Sequence, residues 1–428
     1  MDTFADKRRA GSSFAYWQSL SPAAASRELH RRVDALPDRL RRAAVAWVRP
    51  QAELEGALAA GGSRAPLRGV PFAVKDLFDL AGVPTYAGST FLPDVRPTPA
   101  RTARLVERLV ELGAAPAAKS HLVEFASGLT GENPHYGDCP HPHFPDRLTG
   151  GSSSGSAALV AAGVVPLALG TDTGGSVRVP ASWCGAYGFR LAPGDEFIRD
   201  AFPLAPTLDS AGWFAADAAD MLATWRAVTG GGGPARPPRG CFLSLDELLE
   251  DADPEVAHAC SAAAQRLGPA ADESAKAALL DSWRDAVDAY LGIGMTEAFA
   301  VHRAWLGPFK DRYDPVIWQR FIEAGTWPPQ RIVRSRAARE HVRLVFHHFF
   351  QDYDFLVLPA VPSPAPRKAE ATPELRRRVL ALTAPASLAG LPVLTLPVPL
   401  PSGLTAGLQV IAKVPSSPAF SALLGEAG

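Results

Sequence analysis

Apolar side chains recur at intervals of three and four residues from residue 21 to about residue 60. This spacing places them on one face of an amphipathic helix. Pro37 lies inside the pattern and is expected to break the helix into two pieces, because proline lacks the backbone N–H. A second helix is predicted over residues 102–112, with Gly113 as its stop. The first helical face consists of Leu29, Val33, Leu36, Leu40, Ala44 and Trp47.

Short apolar runs alternate with the helical patterns and predict strands. Helical spacing returns from about residue 253 to residue 348. The alternation favours an α/β fold with a mostly buried sheet. The predicted strands are residues 69–76, 114–119, 164–170, 355–359 and 394–398.

The chain of 428 residues has room for one large α/β domain or two ordinary ones. We expect residues 1–60 to form an N-terminal helical segment that packs on the core. Residues 61–428 then form the main domain. A run of glycines and prolines between residues 230 and 240 predicts a linker or an insertion there.

The formal net charge of −1 gives no electrostatic reason to expect a nucleic acid or an anionic membrane as partner. The four cysteines show no CxxC spacing, so neither a disulfide framework nor a structural zinc site is predicted. The N-terminus has basic residues without a following apolar stretch, and no apolar run reaches the roughly 18–20 residues of a membrane span. We therefore expect a cytoplasmic protein.

Two glycine- and serine-rich segments carry the candidate chemistry. The first covers residues 150–156 and holds Ser152, and the second covers residues 170–180 and holds Ser176. The two serines are 24 residues apart. Because only a predicted helix and a predicted strand intervene, both serines can return to the same edge of the sheet.

A serine hydroxyl attacks an amide only if a base accepts its proton. Lys75 follows an apolar strand, and burial disfavours its ammonium form, so a neutral Lys75 is a candidate base. Gly174 and Gly175 precede Ser176 and allow backbone N–H groups to converge on one point. Such a turn is suited to stabilising the oxyanion of an acyl-transfer reaction.

Residues 150–189, GGSSSGSAALVAAGVVPLALGTDTGGSVRVPASWCGAYGF, closely resemble the signature of the amidase signature family. Residues 69–89, GVPFAVKDLFDLAGVPTYAGS, resemble the block that carries the family's lysine. The C-terminal segment LTAPASLAGLPVLTLPVPLP also fits, so the resemblance spans about residues 65–412. It implies a single α/β/α domain, with a large mixed sheet of about eleven strands covered by helices on both faces.

The resemblance also implies roles for individual residues. Ser176 is the nucleophile, Ser152 is a bridging serine that follows a cis peptide bond after Gly151, and Lys75 is the base. The remaining implied positions are an oxyanion hole of the N–H groups of Thr173, Gly174, Gly175 and Ser176, supporting residues Ser153, Asp172 and Arg178, and a substrate-pocket border of Ser127, Gly128 and Leu129. No metal and no organic cofactor is implied.

The implied function is hydrolysis of the C–N bond of a small carboxamide, with release of ammonia or an amine. Two alternatives remain open: an allophanate- or biuret-type ureide hydrolase, and the glutaminase subunit of a tRNA-dependent amidotransferase. A binding protein built on an inactive scaffold is disfavoured because all three catalytic residues are present. A homodimer is compatible with the family.

Two segments depart from familiar patterns. The lysine-proline-threonine sequence that usually follows the signature is replaced here by residues 190–193, which read Arg-Leu-Ala-Pro. His135, His141 and His143 cluster with Cys139, but their spacing matches no familiar zinc pattern. We expect a structured loop there rather than a metal site.

Overall fold

The computed structural model describes residues 12–62 and 64–426, and in these residues ten strands form one mixed sheet. The resemblance implied about eleven strands. The ten are β1 (Val45–Val48), β2 (Pro71–Lys75), β3 (Ala115–Ser120), β4 (Leu167–Asp172), β5 (Tyr187–Arg190), β6 (Ser210–Ala215), β7 (Gly240–Phe242), β8 (Phe355–Pro359), β9 (Val393–Pro399) and β10 (Thr405–Ala412).

The strand order is β1-β3-β2-β4-β6-β5-β9-β10-β8-β7. Strand β2 is parallel to both β3 and β4, and β7 is parallel to β8, whereas the other neighbours are antiparallel. The carboxyl ends of β2 and β4 therefore meet at one edge of the sheet, which is where the signature residues lie.

The helices flank this sheet, and several short 3₁₀ turns connect them. The α-helices of the described ranges are α1 (Phe14–Ser19), α2 (Pro22–Asp34), α3 (Asp38–Ala44), α4 (Gln51–Ala59), α5 (Leu92–Val95), α6 (Arg104–Glu111), α7 (Ser154–Ala161), α8 (Arg178–Cys184), α9 (Ala218–Thr229), α10 (Leu245–Leu248), α11 (Pro254–Gln265), α12 (Glu273–Trp283), α13 (Ala286–His302), α14 (Pro315–Ala324), α15 (Pro329–Asp352), α16 (Pro373–Ala389) and α17 (Pro418–Glu426).

Alternate residues of the central strands enter two different apolar clusters. On β2, Phe72 and Val74 join the larger cluster, whereas Ala73 joins a second cluster that also contains Leu29 and Val33 of α2. This follows from the two-residue period of a strand, whose successive side chains point to opposite faces. Both faces of the sheet are thus covered, and the predicted α/β/α architecture is confirmed.

The helical prediction for residues 21–60 is wrong in one stretch. Residues 45–48 form strand β1, which pairs antiparallel with β3 through Val45 and Trp47. The β-branched valines favour a strand, and Pro50 disfavours a helical residue before it, so the edge of β3 captures the segment. The remainder is helical as predicted, and the boundary near residue 60 stays a prediction.

The predicted linker lies between α9 and β7, where Gly230 ends α9 in a left-handed conformation. None of the helices in residues 12–62 and 64–426 combines the length and apolar character that crossing a bilayer requires.

Candidate active site

Lys75 is the last residue of β2, and its side chain is fully buried. Its Nζ atom donates hydrogen bonds to Ser152 Oγ at 2.8 Å, to Ser153 Oγ at 2.9 Å and to Thr171 Oγ1 at 2.8 Å. An ammonium group has three donors, and each has a hydroxyl acceptor here. Lys75 therefore lies at the centre of a cluster of neutral hydroxyl groups.

Within the described part of the chain, Lys75 forms no ion pair with a carboxylate. Burial lowers the pKa of Lys75 to about 7, and the more distant charges of Asp172 and Asp209 only partly oppose this effect. A large fraction of the amine is therefore neutral near pH 7, which is the state that a proton acceptor needs.

Ser152 follows Gly151, which is hydrogen-bonded to Leu129, one of the three residues predicted to border the substrate pocket. The peptide bond between Gly151 and Ser152 is cis. The Gly151 N–H donates to the Leu129 carbonyl at 2.8 Å, so the two loops are held side by side. Ser152 itself is fully buried.

Ser176 lies in the turn between β4 and α8, and it is almost completely buried. Its carbonyl accepts a hydrogen bond from the Ser153 N–H at 3.3 Å. The structure thus brings the two serine-rich segments and Lys75 together at the carboxyl ends of β2 and β4.

The turn before Ser176 was expected to supply four N–H groups to an oxyanion hole. The Gly175 N–H is instead directed to Asp172 Oδ1 at 2.8 Å, which corrects the expectation for this residue. In the described residues, the N–H groups of Thr173, Gly174 and Ser176 have no acceptor. Gly175 has a φ of 127°, a conformation that favours glycine.

The Asp172 carboxylate holds this turn in place through hydrogen bonds and ion pairs. Its carboxylate accepts the N–H groups of Gly175 and Val177 and binds Arg178 Nη2 at 2.9 Å. Arg190 Nη1 lies at the same distance from Oδ1. Burial raises the pKa of the Asp172 carboxyl, but the two guanidinium groups outweigh burial and hold it well below its usual range.

Arg190 is a supporting residue that sequence reasoning missed. It was noticed only as a departure from the family pattern, although it is the last residue of β5 and its Nη1 atom lies 2.9 Å from Asp172 Oδ1. The signal that was available is its charge at the end of an otherwise apolar strand. A charged side chain that is fully buried in this way requires a partner.

Helix α16 supplies further contacts that the sequence did not reveal. Thr383 Oγ1 donates to the Gly174 carbonyl at 2.6 Å, and Ser387 Oγ accepts from Arg178 at 2.7 Å and from Arg190 at 3.0 Å. The two hydroxyls are four residues apart, so they lie on one face of the helix. This spacing in LTAPASL was the available signal.

Ser127, Gly128 and Leu129 line a cavity of about 530 Å³. Its other walls come from Val123, from the segment of residues 130–138, from Lys368 and from the residues at the start of α14 and of α16. Arg320 of α14 donates to the Ser127 carbonyl at 3.0 Å and so fixes this border. The cavity is large enough for a small organic substrate.

The histidine loop is held by separate contacts. His135 Nε2 lies 2.9 Å from Glu124, His141 Nε2 lies 3.0 Å from the Trp183 carbonyl, and His143 Nε2 lies 3.0 Å from the Ala161 carbonyl. The described residues contain no group of three or more histidine, cysteine or acidic side chains arranged to hold a metal.

The chain is similar in both sequence and structure to known amidase-type proteins. The sequence model of the Amidase family matches residues 24–232 and 243–416. The chain is 34% identical over 376 residues to the 1-carboxybiuret hydrolase subunit AtzE of Pseudomonas sp. strain ADP, covering 81% of this chain and 80% of that protein. It is 33% identical over 364 residues to the 2-amino-5-chloromuconic acid deaminase of Comamonas testosteroni, covering 81% and 78%. A crystal structure of an amidase aligns with a TM-score of 0.83 and 30% identity, over 95% of this chain and 96% of the other.

Proposed function

The chain belongs to the amidase signature family, whose members hydrolyse C–N bonds, and we propose that it does so through an acyl-enzyme formed on Ser176. Lys75 is the base, and Ser152 relays the proton between Ser176 and Lys75. One observation carries this assignment: Lys75 is buried among hydroxyl groups, with its pKa lowered to about 7.

In the first half of the reaction, neutral Lys75 takes the proton of Ser152 while Ser152 takes that of Ser176. The Ser176 oxygen attacks the amide carbon, and the N–H groups of Thr173, Gly174 and Ser176 stabilise the oxyanion. Each such donor contributes about 10²–10³ in rate in comparable sites. The free state of these three N–H groups in the structure supports this role.

In the second half, the protonated Lys75 returns its proton through Ser152 to the leaving nitrogen. The C–N bond breaks, and ammonia or an amine departs. A water molecule then gives a proton to the same relay and attacks the ester carbon, which releases the acid and regenerates Ser176.

The test is reaction of the protein with a fluorophosphonate, followed by peptide mass spectrometry, together with amine release from a panel of amides. We expect the phosphonyl group on Ser176 and no turnover by Ser176→Ala. Ser421→Ala is the matched control, because Ser421 is also buried but bonds to Gly232 and Pro418 outside the site. Substantial amide hydrolysis by folded Ser176→Ala contradicts the proposal.

A ureide substrate is the second candidate function. It is favoured by the similarity to a subunit of 1-carboxybiuret hydrolase, which covers most of both chains. The amide panel therefore includes biuret and allophanate, beside glutamine for the amidotransferase alternative. Turnover of a ureide at a kcat/KM far above that of simple carboxamides would favour this candidate.

We further propose a cytoplasmic location and a homodimer. The location is supported by the four cysteines, all of which are buried and free. Multi-angle light scattering of the purified chain tests the dimer: twice the chain mass supports it, and the mass of one chain contradicts it.

A further inference from the structure

The cavity lined by Ser127, Gly128 and Leu129 also contains an arginine that has no protein partner within the described residues. Arg376 lies in the first turn of α16 and lines the cavity together with Arg320 and Ser127. Its Nε atom is buried and makes no hydrogen bond within the described residues. We refer to Ser127, Arg320 and Arg376 as the basic pocket.

The two arginines that follow Arg376 behave differently. Arg377 binds Asp288 at 3.2 Å, and Arg378 donates to the Asp251 carbonyl at 2.7 Å. Arg376 is the member of this run that faces the cavity with its guanidinium unpaired. Burial and the neighbouring Arg320 lower the pKa of Arg376 to about 10, so the group remains charged at neutral pH.

The acidic groups around the cavity are already engaged. Lys368 lies 2.9 Å from Glu132 and 3.0 Å from Asp138. The Asp314 carboxylate accepts the Val316 N–H at 2.7 Å and so caps α14. Arg376 is partly buried, and a charge held away from water without a partner is costly. Within the described residues no carboxylate forms an ion pair with Arg376. An anionic ligand would supply the missing partner.

A second polar group in the basic pocket also lacks a partner. Ser127 is 2% exposed, and its Oγ atom is buried without a hydrogen bond in the described residues. The Ser127 carbonyl accepts a hydrogen bond from Arg320 at 3.0 Å, so the backbone of Ser127 is held in place while its hydroxyl has no partner in the described residues. Two residues that line one cavity thus each have a polar atom without a hydrogen-bond partner in the described residues.

The helix α16 relates the basic pocket to the reaction centre. Thr383 of α16 binds the Gly174 carbonyl in the oxyanion turn. Arg376 precedes Thr383 by seven residues, which is two helical turns or about 10 Å along the axis. On the other side of the cavity, Leu129 is bonded to Gly151, next to Ser152. From these contacts we infer that a ligand spanning the oxyanion turn and Arg376 is a short molecule.

Building on the proposed function, we propose that the basic pocket binds a carboxylate of the substrate and that the enzyme hydrolyses short amides carrying a carboxylate at the end remote from the amide. A guanidinium offers two parallel N–H donors that match a carboxylate. In the reaction, water adds to the amide carbon, the C–N bond breaks and ammonia leaves. The remote carboxylate is unchanged, so a monoamide of a dicarboxylic acid yields the dicarboxylate.

The test compares succinamate, glutaramate and adipamate with butanamide, pentanamide and hexanamide. We expect wild type to prefer at least one acidic amide over its neutral counterpart. Arg376→Met should lower kcat/KM for that substrate by about 10- to 100-fold, mainly through KM, because a hydrogen bond to a charged group is lost. The neutral amides should change by less than about threefold. Arg377→Met is the matched control and should behave as wild type.

Calorimetric titration of Ser176→Ala with glutarate provides a readout that needs no turnover. We expect binding that is weakened in the Ser176→Ala/Arg376→Met double variant, and Arg376→Gln replaces Arg376→Met if the latter does not fold. Serine-dependent hydrolysis without preference for acidic amides, together with no effect of Arg376→Met on glutarate binding, overturns the basic pocket and leaves the catalytic proposal standing. Glutarate binding that depends on Arg376, without any serine-dependent hydrolysis, supports the basic pocket and contradicts the catalytic proposal.

Discussion

Two buried lysines lie on neighbouring parallel strands, and their surroundings differ completely. Lys75 ends β2, and Lys119 lies near the end of β3, with Val74 opposite Lys119 in the register. Both side chains are at most 1% exposed. Because successive residues of a strand point to opposite faces, the one-residue offset sends the two amines to opposite sides of the sheet.

The partners of the two amines are the reason for proposing different roles for them. Lys119 Nζ lies 2.5 Å from Asp76 Oδ1 and 3.1 Å from Thr85 Oγ1, so its charge is neutralised by a buried carboxylate. Lys75 has hydroxyl acceptors instead, and burial lowers its pKa to about 7. Burial alone therefore does not distinguish the two lysines; the difference on which the proposed base role rests is that Lys75 has no carboxylate partner in the described residues.

The largest expected difference between the two lysines is in catalysis. Lys75→Met should lower kcat by about 10²–10⁴-fold, the usual contribution of a general base, because the serine protons then have no acceptor. Lys119→Met should retain kcat within about tenfold in its folded fraction. Steady-state kinetics on the best amide of the panel checks both. Equal losses of kcat in the two variants would contradict the proposal that only Lys75 acts as a base.

The second difference is in the free energy of unfolding, where Lys119→Met is expected to have the larger effect and Lys75→Met the smaller one. Lys119→Met leaves Asp76 buried without its partner, which should cost about 3–5 kcal/mol in the free energy of unfolding. The Lys119→Met/Asp76→Asn double variant should recover part of this loss. Lys75→Met removes hydrogen bonds to hydroxyl groups but no ion pair, and should cost only about 1–2 kcal/mol. Urea denaturation measures all three, and a Lys75→Met variant as unstable as Lys119→Met would contradict the comparison.

The pH dependence of the reaction follows from the lowered pKa of Lys75. Below about pH 7 the amine is protonated and cannot accept a proton, so kcat/KM should fall about tenfold per pH unit at acid pH and level off above pH 8. A rate that rises only above about pH 9 would mean that Lys75 keeps the ordinary pKa of a lysine.

The smallest effect is expected at Thr171, a hydroxyl partner of Lys75 that sequence reasoning did not identify. Thr171 Oγ1 accepts a hydrogen bond from the ammonium form and stabilises it. Thr171→Val should therefore lower the pKa of Lys75 further, by about one pH unit for a loss of about 1.4 kcal/mol. The acid limb of the kcat/KM profile should move to lower pH. Movement to higher pH is the result that this account does not allow.

The signature segments were enough to predict the family and the fold. They also predicted that Lys75, Ser152 and Ser176 lie close together. Each of these residues belongs to a local motif that can be recognised in the amino-acid sequence. The two serines return to one edge because a single helix and a single strand, α7 and β4, separate them. Their catalytic roles stay predictions until the variants are measured.

Other features depend on contacts between distant parts of the chain and were not predictable in the same way. Strand β1 exists because the edge of β3 accepts it. Arg190 lies 18 residues from Asp172 and becomes its partner only after β5 and β4 join the same sheet through β6. The correction at Gly175 likewise depends on where the Asp172 carboxylate lies in three dimensions.

The central claim is that Lys75 is substantially neutral at neutral pH because it is buried among hydroxyl groups. The most direct test is NMR titration of protein labelled with carbon-13 at the lysine ε-carbons, with Lys75→Met used to assign the signal. We predict one lysine resonance that titrates with a midpoint near pH 7 and is missing from the Lys75→Met spectrum. If the resonance assigned to Lys75 titrates near pH 10, the amine is protonated at neutral pH and the proposed base is wrong.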